Sequence, residues 1–95
     1  MAEIGQVVER RMTVGLPHHV RHIKDLRWWS ANNGLVWSKR AEMVQLVSHK
    51  PRGTFFTQVD GYKAGLYVVS ERGESWVETE PDKTKVDNLL RLPEG

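Results

Sequence analysis

The chain closes on Asp87-Asn88-Leu89-Leu90-Arg91-Leu92-Pro93, which is apolar where a terminus is ordinarily polar and frayed. Left in water, Leu89, Leu90 and Leu92 would form an adhesive patch, so whatever fold forms must accept its own end as part of the core. These leucines are expected to close the core beside a helix bearing Met43 and Val47, with Asp87 or Asn88 capping a short helical turn. Pro81-Asp82-Lys83-Thr84 reads as the turn that delivers the segment, with Asp82 supporting it. No cysteine is present, so packing alone must hold a domain of 95 residues. A chain of that size buries only roughly 60–65% of its unfolded surface, and each buried leucine, contributing about 1.5–3 kcal/mol, is a large share of the total.

The same limits bear on function. A deep catalytic cleft would have to be carved from a small core, which speaks against an enzyme. The lack of cysteine excludes disulfides, thiolate catalysis and cysteine-based zinc sites. At 39% hydrophobic and 27% charged residues the composition is that of a soluble globular domain. No apolar run approaches the roughly 18–20 residues that cross a bilayer. Met1-Ala2-Glu3-Ile4 has neither a basic nor an apolar leader region, so a cytoplasmic protein of bacterial or phage type is expected. The charge is uneven. Residues 1–53 hold nine Lys/Arg against four Asp/Glu, a net +5, with all four histidines; residues 54–95 hold five against eight, a net −3. Two halves of opposite sign suit an anionic partner, or copies that attract one another.

Residues 1–17 read either as an extra strand interrupted at Glu9-Arg10-Arg11 or as a flexible arm, with residues 18–95 forming a single small domain. Val20 to Trp29 is expected as a strand, ended by the turn cluster Ser30-Ala31-Asn32-Asn33-Gly34, and Leu35-Val36-Trp37 as a second. Ser38 is expected to cap a helix from Lys39 to about Ser48, although Glu42 stands four residues on rather than the three of a capping box. Ala41, Met43, Val44, Leu46 and Val47 give that helix an apolar face, and Pro51 ends it. A meander follows: Thr54–Val59, a turn at Asp60-Gly61, Ala64–Ser70, a turn at Glu71–Glu74, then Ser75–Glu80. The fold class is therefore α+β: an antiparallel sheet of four to five strands with one helix on one face, in the order β-β-α-β-β-β.

Three blocks stand in an order that resembles the small bacterial family known as domain of unknown function 3892. They are Ile23–Trp28; Ser38-x-x-x-Glu42-Met43-Val44; and Trp76-Val77-x-Thr79 with Asp82 and Asp87-Asn88-Leu89-Leu90-x-Leu92-Pro93. The resemblance covers roughly residues 18–93 and leaves the N-terminal lead outside it. It implies a small α+β domain and carries no reaction, cofactor or catalytic residue.

Two constellations invite chemistry. His18 and His22 share a face on a strand and lie one turn apart on a helix, as zinc ligands do, but no cysteine or well-placed carboxylate completes a set, and exposed histidines at a strand start are the simpler reading. Arg21, Lys24, Arg27, Lys39, Arg40, Lys50 and Arg52 stand among Trp28, Trp29 and Trp37. Cations contact phosphates and exposed rings stack on unpaired bases, whereas tryptophans in a small domain more often build its core. Because neighbours on a strand face opposite ways, one of Trp28 and Trp29 must point outward. Ser38, Ser48 and His49 form no nucleophile elbow, and the glycines form no phosphate loop. The expectation is a non-catalytic interaction or regulatory domain without a cofactor, binding another protein or itself. The alternative is a nucleic-acid-binding protein using Arg21, Lys24, Arg27, Trp28, Trp29, Lys39 and Arg40.

Overall fold

The computed structural model describes residues 3–17, 19–80 and 87–95. The expected turn at Pro81–Thr84, Val86 and His18 fall outside them. Strand β1 (Val7–Met12) pairs antiparallel with β2 (Ile23–Ser30), which pairs antiparallel with β3 (Gly34–Lys39). Helix α1 (Arg40–Ser48) follows directly. Then β4 (Phe56–Val59), β5 (Tyr62–Glu71) and β6 (Glu74–Thr79) form a second antiparallel sheet in sequence order. Single 3-10 turns stand at Val20–His22 and Asn88–Arg91.

The class is α+β, but the single sheet of four to five strands is corrected to two three-stranded sheets, and the order to β-β-β-α-β-β-β. The extra strand is β1, whose Arg10 and Arg11 sit opposite Leu26 and Asp25. It is the strand allowed for within residues 1–17, and Glu9-Arg10-Arg11, read as its interruption, lie within it. The sheets separate because the chain passes from β3 straight into α1 and begins β4 elsewhere. They are stitched by a parallel bridge between Gln6 and Phe56 and by backbone bonds from Gly5 N to Trp29 O (2.8 Å) and from Phe56 N to Gly5 O (3.2 Å).

Local chemistry explains the other shifts of boundary. The strand expected from Val20 begins at Ile23, because the His19 ring nitrogen accepts from Arg21 N (3.2 Å) and winds Val20–His22 into a 3-10 turn. Ser38 does not cap α1. It pairs with Leu26 as a β3 residue and is buried, and its hydroxyl accepts from Trp28 Nε1 at 3.0 Å. The cap is Lys39, so Glu42 stands three residues on after all, its carboxylate accepting from Lys39 N at 3.4 Å. Thr54 bends onto the Pro51 carbonyl, delaying β4 to Phe56. Both tight hairpins turn on paired positive φ angles, Asp60-Gly61 at 51° and 80° and Arg72-Gly73 at 51° and 80°, the geometry that matches strand twist.

Helix α1 lies against β5 and β6 and also meets β2 and β3. Its fully buried Met43 joins Val7, Leu26, Leu66, Trp76 and Leu89 in one core, while Val44, Leu46 and Val47 pack at the margin. Leu89 and Leu92 are buried and Leu90 is half-buried. The tail touches β4 and β6, and its last residues run beside β1, with Arg10 N donating to Pro93 O (3.0 Å) and Gly95 N to Arg10 O (2.9 Å). Asp87 caps the closing turn: its carboxylate accepts from Leu89 N (2.9 Å), Thr79 N (3.0 Å) and Thr79 Oγ1 (2.7 Å).

Candidate binding face on the first sheet

Residues directly opposite on paired strands share a face, so the register of the first sheet sorts its side chains. One face carries Leu26 and Trp28 with Ser38 and Val36, and looks into the core. Trp28 meets Phe55 edge-to-face at 5.1 Å and spends its indole N–H on Ser38. This expected binding residue is half-buried and packs against the core, while the pleat turns its neighbour Trp29 to the other face.

The opposite face carries rows of paired residues: Trp29 with Leu35, Arg27 with Trp37 and Glu9, and Asp25 with Lys39 and Arg11. Leu35 is exposed, and Trp29, Trp37 and Arg27 are half-buried. The Arg11 guanidinium sits over the Trp37 ring at 3.9 Å, and Arg27 approaches the same ring at 5.9 Å. Arg27 also pairs with Glu9 at 2.9 Å. Gly95 lies against the outer edge of the Trp37 ring, close enough that a Cβ there would come within 2.5 Å of it.

Past Lys39 the face runs into a groove of about 580 Å³ whose walls include Arg21, Lys24, Asp25, Lys39 and Arg40. The seven residues singled out in the sequence therefore divide. Arg27, Trp29 and Lys39 share the outer face; Arg21, Lys24 and Arg40 meet Lys39 in the adjoining groove; Trp28 packs half-buried against the core. Lys50 and Arg52 stand apart beside a separate hollow of about 200 Å³ with Tyr67, where Arg52 pairs with Glu80 at 3.3 Å. Burial, then the Glu78 carboxylate that accepts from its hydroxyl, pushes the Tyr67 phenol up. Sequence reasoning missed Arg11 as a member of the face. The signal was the alternation of Glu9 and Arg11, legible only once β1 is paired with β2.

Metal binding gains no support from these positions. Among the described residues no three His, Asp or Glu side chains are grouped to hold an ion. The His22 ring nitrogen Nδ1 donates instead to the Pro17 carbonyl at 2.8 Å. No helix among the described residues is long and apolar enough to cross a membrane.

Fold and face together define a small α+β domain with a basic, ring-bearing sheet surface. The family described as Protein of unknown function (DUF3892) matches residues 10–93, so the chain belongs to that family. The match takes in the second half of β1, from Arg10 to Met12, which extends the likeness N-terminally beyond the blocks legible in the sequence. No curated protein and no solved structure matches the chain.

Proposed function

We propose that the chain is a non-catalytic binding module that receives single-stranded nucleic acid on the outer face of its first sheet. The observation that carries this reading is the shared face of Arg11, Arg27 and Lys39 with Trp29 and Trp37. Cations neutralise backbone phosphates, and aromatic or guanidinium planes stack on unpaired bases whatever their sequence. From Trp29 to Asp25 the face follows five residues of β2, roughly 13 Å at strand spacing. Glu9 and Asp25 temper its charge, so affinity depends on low salt. The test is the change in tryptophan fluorescence as single-stranded oligonucleotides are added at low and at physiological salt.

A second reading, association with another protein or with a second copy, is favoured by how charge maps onto the fold. The half of net charge +5 carries the first sheet, and the half of net charge −3 carries the second. Sedimentation at high concentration and low salt decides it: a strict monomer removes self-association.

A further inference from the structure

The groove beyond Lys39 carries a charge surplus of its own. Arg40 is committed, its guanidinium donating to the Arg21 carbonyl and pairing with Glu74 at 3.4 Å, which fixes one wall and neutralises that carboxylate. The side chains of Arg21, Lys24 and Lys39 have no acceptor among the described residues, and Asp25 is the remaining carboxylate of the lining. Four cations against two anions leave two positive charges unmatched around one hollow. A phosphomonoester carries a charge of about −1.5 to −2 near neutral pH, whereas an internal phosphodiester carries about −1. Leu16 and Ile23 add apolar wall for the organic part of a ligand. The volume, about 580 Å³, is that of a small-molecule site rather than an ion site.

We infer that this groove is a phosphomonoester site, with Arg21, Lys24 and Lys39 as its phosphate ligands. The inference stands on the groove and does not depend on the reading of the sheet face. The same chemistry comes from two sources, a free phosphorylated small molecule or the phosphorylated end of a strand lying on the adjoining face. Calorimetric titration of the full chain separates them, with inorganic phosphate, a nucleoside with its 5′-monophosphate, and one oligonucleotide with a 5′-phosphate or a 5′-hydroxyl. Each phosphorylated ligand is expected to bind about tenfold or more tighter than its hydroxyl counterpart, and R21Q or K24Q to remove most of that difference. Both residues are exposed, so the unfolding midpoint of these variants should stay that of the parent and serve as the folding control. A mononucleotide that binds as tightly as the phosphorylated strand assigns a free small molecule; a phosphorylated strand that exceeds both its hydroxyl counterpart and the mononucleotide assigns a strand end. Mononucleotide binding with no oligonucleotide binding keeps the groove and removes the sheet-face reading. Equal affinity for phosphorylated and hydroxyl ligands, or a phosphate preference untouched by R21Q and K24Q, overturns the inference.

Discussion

Arg10 and Leu92 stand far apart in the sequence, yet Arg10 Nε donates to the Leu92 carbonyl at 3.0 Å. The Arg10 side chain is buried, and its Nη1 lies 3.2 Å from Glu94 Oε1, an ion pair without hydrogen-bond alignment. Backbone bonds from Arg10 to Pro93 and Gly95 complete the attachment. The first strand and the last residues are thus one unit. R10M should leave the Leu92 carbonyl unmatched and destabilise the fold by about 1–3 kcal/mol in urea unfolding. E94Q, whose side chain is half-exposed, should cost under about 1 kcal/mol.

The leucine tail is graded by burial. L89A removes a side chain with no exposed surface and should cost about 2–5 kcal/mol, whereas L90A, half-buried, should cost less than half of that. Paired urea midpoints check the ranking. Equal losses would mean that the tail adheres as a patch and does not pack as a core.

Gly5, just before β1, is pressed against the Thr54 backbone just before β4. With φ at +88°, an added Cβ would fall 2.1 Å from the Thr54 carbonyl oxygen, a backbone atom with little room to move. G5A is expected to cost about 3 kcal/mol or more and to lower the yield of folded protein. G65A is the contrast: its Cβ would meet chiefly the flexible end of Glu80 at 2.8 Å, and its cost should stay within about 1 kcal/mol.

Asp87 gives the fold a dependence on pH. Burial is the largest influence on its carboxyl and pushes its pKa up, opposed by the bonds from Leu89 and Thr79. The native state therefore holds this proton at pH values where the unfolded chain has released it. The stability it contributes is present below the ordinary carboxylate value of about 3.9 and is lost as pH rises through the raised folded value. D87N cannot titrate. In urea midpoints taken between pH 4 and pH 7, the parent should lose stability with rising pH relative to D87N. A relative gain would reverse the sign assigned to this group.

Much of this was legible because local chemistry and global fold agree. The turns at Asp60-Gly61 and Arg72-Gly73, the stop at Pro51 and the buried Leu89 each follow from a residue's own preference. What stayed hidden depended on partners. Ser38 has the chemistry of a cap, but β3 pairing holds it one residue short of that role, and its hydroxyl accepts from the Trp28 indole N–H instead. Arg10 reads as a strand-breaking charge until the C-terminal tail that accepts its hydrogen bond is in place. The binding face shows the same limit. The sequence requires one of Trp28 and Trp29 to face outward, while only the register shows that it is Trp29 and that Arg11 and Trp37 join it.

The most direct measurement is a fluorescence titration of the parent chain and of R27Q and W29A with a single-stranded oligonucleotide, repeated from low to physiological salt. Trp29 and Trp37 on the face make binding visible without a label. Saturable quenching is expected for the parent, with affinity that falls steeply with salt, a loss of about 1–3 kcal/mol of binding for W29A and a shallower salt slope for R27Q. Fluorescence that does not change with oligonucleotide at low salt, or binding that R27Q and W29A leave untouched, would contradict the sheet-face reading.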